Sequence, residues 1–178
     1  MTRAAELIEG FEPESDLERR LAEDPVLLEG WAWGKPREGH PEGSIGRHVA
    51  ELLKRIDEWG ETDRRRGELR FLALVHDSLK NQVQEWRRRT GENHHAMRAR
   101  RFAEGYTDDE RLLAAIELHD RPYHIWKRFK RTGNPQDAAV AEMLDRIPDT
   151  NLFVRFVELD ASTEGKNPAP LEWLREQI

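Results

Sequence analysis

Six side chains able to hold a cation fall on otherwise apolar helical stripes: His48, His76, Asp77, His95, His119 and Asp160. In segment 44–59 the stripe Ile45, Val49, Leu52, Leu53 and Ile56 takes His48 into its line, three residues after Ile45 and four before Leu52. The run Leu69-Arg-Phe-Leu-Ala-Leu-Val is almost continuously apolar and ends on His76-Asp77. His95 shares a face with Ala99, Phe102 and Ala103, His119 with Leu112, Ala115 and Ile116, and Asp160 with Phe153, Phe156 and Val157. A lone inward His is an ordinary hydrogen-bonded core residue. An inward carboxylate without a partner costs several kcal/mol or is neutralised, so Asp77 needs a cation, a charged partner or amide donors. One shared cation site explains six such residues on five helices more economically than six separate accidents. The chain has no Cys, which removes disulfides, thiolate zinc sites and Cys nucleophiles together. Nitrogen and carboxylate ligands suit Mn, Fe, Co, Ni, Zn or, with waters, Mg.

The elements that must carry these residues read as helices almost throughout, with no convincing alternation of β-branched residues, so an all-α domain is expected. The spacing predicts helices near 15–23, 44–59, 68–80, 92–105, 108–121, 135–147, 150–162 and 169–177. Ser15-Asp-Leu-Glu18 and Thr107-Asp-Asp-Glu110 fit the capping box, and Asn134-Pro135 opens a further helix. The stretch 24–43, rich in Pro, Gly and Trp, reads as an ordered loop anchored by Trp31 and Trp33. No repeat or low-complexity segment is present.

The chain is 178 residues long with 36% charged residues, and its mean hydropathy is -0.87. Six Trp add bulky burial, so one modest core is expected rather than disorder. No apolar run approaches the ~18 residues a membrane span needs, and Glu6 and Glu9 stand where a secretory signal would be apolar, so a soluble cytoplasmic protein is expected. Residues 1–30 hold nine acidic and three basic residues, leaving 26 of each sign in 31–178. The body is therefore not generically basic. Arg64–Arg66, Arg87–Arg89, Arg98/Arg100/Arg101 and Lys127/Arg128/Lys130/Arg131 nevertheless bunch, either as solvated faces or as a local field for phosphates.

At these residues the chain resembles the HD-domain superfamily of metal-dependent phosphohydrolases, whose signature is a His, a His-Asp doublet and a distant Asp, here His48, His76-Asp77 and Asp160. More narrowly, Gly39 through His48, Leu69 through Lys80, Leu118-His-Asp120 and Leu159 through Trp173 resemble the HD domain of bacterial CCA-adding tRNA nucleotidyltransferases, over roughly residues 33–174. The resemblance implies an HD-type single-domain helical bundle over 31–178, preceded by an acidic helical extension, 1–30. It implies that His48, His76, Asp77 and Asp160 bind one divalent ion, with His95 and His119 as ligands of a second ion or as phosphate contacts. His94 is an alternative to His95, and His40 and His124 are rim residues or phosphate contacts. Leu79 replaces the small Gly expected before Lys80, which bears on where Lys80 points. No nucleotidyltransferase head is expected in the net-acidic residues 1–30, so CCA addition is not.

The chemistry expected is phosphoester hydrolysis by water activated on a divalent cation, with a nucleotide or cyclic nucleotide as substrate. Asp77 would ligate and orient or deprotonate the water, and Lys80, His95, His119 and Arg121 would stabilise phosphate oxygens. Two rivals are a non-catalytic metal- or nucleotide-binding module and an RNA-binding module using the Arg clusters as a backbone track. The Trp residues are expected as core and loop anchors, with Trp126 as a possible pocket wall near His119.

Overall fold

In the computed structural model, residues 2–36 and 43–178 are described, and their regular structure is entirely helical. In chain order the helices are α1 (Arg3–Leu7), α2 (Asp16–Glu23), α3 (Pro25–Ala32), α4 (Ile45–Glu58), α5 (Asp63–Val75), α6 (His95–Ala103), α7 (Glu110–Leu118), α8 (Arg121–Thr132), α9 (Asp137–Asp145), α10 (Thr150–Ala161) and α11 (Ala169–Glu176), with short 3-10 turns at Lys80–Gln82 and Gly91–Asn93. The core is one cluster, running from Ala4, Ile8 and Leu21 through Val49, Leu72 and Ile116 to Phe153 and Leu174. Residues 2–30 thus pack into the same core as the remainder.

Buried charge ties this N-terminal part down. Glu18 and Arg70 are both buried, and the Arg70 guanidinium donates to both Glu18 carboxylate oxygens at 2.8 Å and to the Glu12 carbonyl at 2.9 Å. Such a pair is tolerated because each partner meets the other's charge and hydrogen-bonding needs. Ser15 caps α2 by accepting from the Glu18 amide, as expected.

Five expectations are corrected. The stretch 24–43 contains a helix, α3: Asp24 accepts from the Val26 amide and Pro25 fills the first helical position. Trp31 is buried as expected, its indole N–H donating to the Leu74 carbonyl at 2.9 Å. The expected helix 68–80 begins earlier and stops at Val75, so His76 and Asp77 lie in the turn that follows. The expected helix 108–121 stops at Leu118, and a helix the sequence reading did not predict, α8, follows from Arg121, with Pro122 in its first turn, and ends at Gly133, whose φ is 69°. Finally, Asp109 rather than Thr107 caps α7, and α9 starts after Gln136, two residues beyond Pro135.

Two glycines set how closely helices approach. A Cβ on Gly30 of α3 would stand 1.8 Å from the Ser78 carbonyl oxygen, and one on Gly46 of α4 would stand 2.3 Å from that of Leu7. Only hydrogen fits at either position, and the first contact presses α3 against the turn that carries His76 and Asp77.

Candidate metal centre

The five helices expected to offer inward ligands bring them together. His48 comes from the middle of α4, His76 and Asp77 from the turn after α5, His95 from the first position of α6, His119 from the end of α7 and Asp160 from the last turn of α10. Four of the six, His76, Asp77, His95 and His119, stand at or just past a helix end, where the chain can turn a side chain out of the helical stripe and towards its neighbours.

Asp77 is the hub. The Nε2 atoms of His95 and His119 lie 3.3 and 3.6 Å from its Oδ1, while His76 Nε2 and Lys80 Nζ lie 3.5 and 2.5 Å from its Oδ2. Asp160 faces the opposite side, its Oδ1 3.0 Å from His48 Nε2 and 3.6 Å from His76 Nε2. His48, His76, Asp77 and His119 are buried. Ligand atoms about 2.1 Å from one shared cation stand about 3.0 to 3.4 Å apart when bound at angles between square and tetrahedral. These separations are close to that range.

The imidazole tautomers sharpen the point. His76 Nδ1 faces the carbonyls of Leu72 and Ala73 at 3.1 and 3.3 Å, and His119 Nδ1 faces that of Ile116 at 2.7 Å. A carbonyl only accepts, so each Nδ1 carries the proton and a neutral ring presents a bare Nε2 to the carboxylates. Lone pair then opposes lone pair, and His76 Nε2 and Asp77 Oδ1 are buried without a hydrogen-bond partner. A cation, or an extra proton, reconciles them. Backbone carbonyls holding the far nitrogen are also the usual way a ligating imidazole is oriented.

The protein's own charges favour a proton on one of these rings. Burial pulls the His119 imidazole down, but hydrogen bonding to Asp77 and the charges of Asp120, Asp77 and Asp160 outweigh it and push it up to about 9. Burial lowers His76 and His95, incompletely opposed by Asp77. Asp77 and Asp160 stay well below the usual carboxylate range although burial would raise them, Asp77 chiefly through Lys80 and His76, Asp160 through Lys166 and His48.

Among the described residues three overlapping groups could hold a metal ion: His48, His76 and Asp77; Asp77, His95 and His119; and His94, His95 and Asp120. His95 rather than His94 reaches Asp77, as expected. His94 instead caps α6 and lies 3.3 Å from Asp120, which His124 approaches to 3.2 Å. Asp120 is a site residue that the sequence reading missed. It follows His119 directly, and its only signal was that doublet. Lys80 points at Asp77 despite Leu79, which is buried in the core. Arg121 stands apart from Asp77, on the cavity wall, 3.8 Å from Glu142. His40 lies outside the described residues.

Beside this centre opens a cavity of about 960 Å³ whose wall includes Lys80, His94, His95, Asp120, Arg121 and His124. Trp126, considered as a pocket wall, does not line it, whereas Trp33 does. No helix among the described residues is long and apolar enough to cross a membrane. Compared with family models, curated proteins and solved structures, the chain matches none.

Proposed function

We propose that the protein is a divalent-metal-dependent phosphohydrolase of the HD-domain type, acting on a phosphoester of a nucleotide or cyclic nucleotide. The observation that carries this reading is the pair of carbonyl-anchored imidazoles, His76 and His119, whose free Nε2 atoms both face Asp77 at 3.5 and 3.6 Å in a buried site. A cation there fits the donor set, and all its ligands are nitrogen or oxygen. His48, His76, Asp77 and Asp160 hold one ion; Asp77, His95 and His119 form the ligand group of a second.

When bound, a divalent cation lowers the pKa of water from 15.7 towards about 7 and polarises a phosphoryl oxygen. The chain's own residues do the positioning. Asp77, kept ionised, holds and orients the attacking water. Lys80, 17% exposed at the cavity wall, neutralises Asp77 before substrate arrives and offers its ammonium to a non-bridging phosphate oxygen afterwards. Charge spreads over those oxygens in a loose transition state, so fixed cations aimed at them supply most of the catalysis a protein can give. Arg121, further out on the same wall, serves a more distant part of the substrate.

The test is a screen for phosphate release and diester cleavage over nucleotides and cyclic nucleotides. The chelated full-length protein is reloaded with Mn, Co, Ni, Mg or Zn. Turnover that requires added metal and vanishes in Asp77→Ala, with the helical circular dichroism retained, is the expected result. Undiminished turnover in Asp77→Ala overturns the assignment.

A further inference from the structure

The large exposed hydrophobic side chains among the described residues are Trp33, Trp86, Tyr123 and Ile178. Trp33 lines the cavity beside the metal centre, Trp86 follows the lining residue Glu85, and Tyr123 precedes the lining residue His124. Trp86 is 82% exposed, contrary to its expected role as an anchor. Trp86 belongs to the loop that gives the cavity Val83, Glu85, Arg89, Thr90 and Gly91, and an exposed indole followed directly by three arginines combines a stacking face with cations.

The loop that presents Trp86 is held in shape. Asn93 is buried beneath it, donating to the carbonyls of Gln84, Arg87 and Arg88 at 3.0, 3.3 and 3.1 Å and accepting from the Gln84 amide at 2.9 Å. One side chain thus fixes the loop's backbone from 84 to 88, and Trp86 with Arg87, Arg88 and Arg89 is displayed at little ordering cost on binding.

Charge distinguishes this loop from the Arg64–Arg66 and Arg100/Arg101 clusters. Arg64, Arg65 and Arg66 are taken up by Glu68, Glu14 and Asp57, and Arg100 and Arg101 by Glu92, Glu104, Glu110 and Glu117. Arg87, Arg88 and Arg89 are exposed and make no ion pair among the described residues. The same holds for Arg128 and Arg131, which share the α8 face of Arg121 and His124 at helical spacing. That face leads about 15 Å away from the cavity, enough for two or three nucleotides. Inside the cavity the signs cancel: Glu117 meets Arg100 and Arg146, and Glu142 meets Arg121.

We propose that this rim binds single-stranded nucleic acid, with a base stacked on Trp86, backbone phosphates on Arg87–Arg89 and on the Arg128/Arg131 face, and one end of the strand directed into the cavity. Aromatic platforms between unpaired cations suit splayed bases on a flexible polyanion, whereas a duplex hides its base faces. Binding stands apart from hydrolysis; only cleavage of the inserted end rests on the reading given under Proposed function.

The experiment is fluorescence anisotropy of fluorescein-labelled dodecamers of dT and of rU, with full-length protein at 50 mM salt in EDTA, so that metal chemistry plays no part. Binding is expected for both strands, falling about ten- to a hundredfold in Trp86→Ala. Arg87→Gln/Arg88→Gln/Arg89→Gln is expected to shallow the salt dependence by about 0.7 log unit per lost phosphate contact. Trp86→Phe, which keeps a stacking face, should restore most of the affinity. These side chains are exposed, so unchanged thermal unfolding verifies the fold. No binding by the native protein, or unchanged affinity in both the Trp86→Ala and triple-Arg variants, overturns the proposal, as does loop-dependent binding of phosphatidylserine vesicles without binding of either strand. Strand binding without turnover in any metal would retain this surface and remove the hydrolase reading; the reverse would do the opposite.

Discussion

Gly30 lies against Ser78 so closely that a Cβ would stand 1.8 Å from the Ser78 carbonyl oxygen. The contact joins α3 to the turn bearing His76 and Asp77, so Gly30→Ala must move that turn or the helix. Overpacking of this kind costs about 1 to 3 kcal/mol. Urea unfolding should show that loss, and cation affinity should fall with it although residue 30 touches no ligand. Native stability together with native cation affinity in Gly30→Ala would show that the turn is positioned otherwise.

The buried pair Glu18–Arg70 leads to a second expectation. Removing one partner of a buried pair typically costs about 3 to 5 kcal/mol, because the other charge is left uncompensated. Arg70 retains a contact with Glu14 at 3.1 Å, so Glu18→Gln should fall near the lower end, about 3 kcal/mol by urea unfolding. A single cooperative transition is expected, since residues 2–30 share the core of the rest. A change below about 0.5 kcal/mol, the range of ordinary surface substitutions, would contradict the role given to this pair.

The pH dependence of the cation-free protein follows from three imidazoles. His119, raised to about 9 against burial by Asp77, contributes stability that is complete below about pH 6.5 and is lost as pH rises through 9. His76 and His95 are lowered by burial, so they cost stability as pH falls below about 6.5, where the unfolded chain takes up protons that the folded one refuses. In EDTA the melting temperature should therefore peak near pH 6.5, and His119→Gln should flatten the alkaline side. Cation binding needs neutral imidazole, so added metal should move the maximum upwards. A chelated protein that gains stability steadily from pH 6.5 to 9 would refute this assignment.

What the sequence made legible is uneven for physical reasons. His48, His76, Asp77, His95, His119 and Asp160 stood out because polar residues on apolar stripes are costly, and the structure brings all six together. The ends of α5 and α7 were overshot because the apolar periodicity continues through His76 and His119 although the backbone turns there. α3 was hidden because its Gly30 and Trp31 resemble loop residues in composition, while the Gly serves helix contact and the Trp serves burial. α8 was missed because it is mostly cationic and aromatic, with only Pro122 and Ile125 buried. Asp120 lies on no stripe, and nothing in spacing separates it from a cap.

The ligand groups also differ in what they share. Only Asp77 is common to the first two, so His95→Ala should leave the His48, His76 and Asp160 position able to bind, whereas His76→Ala should weaken it. Calorimetric Co titration of the chelated protein should show an affinity loss of at least about tenfold for His76→Ala at the tighter step. Equal behaviour of the two variants would contradict the division.

The most direct measurement is the metal content of the full-length protein by mass spectrometry after loading with Mn, Co, Ni or Zn and gel filtration, compared with Asp77→Asn. That substitution keeps the shape of the hub and removes its charge. At least one equivalent per chain in the native protein, falling well below one in Asp77→Asn with the fold intact, is the result expected. No retained metal in the native protein, or the same content in both, would mean that His76, His119 and Asp77 are reconciled by a proton alone and that the centre holds no cation.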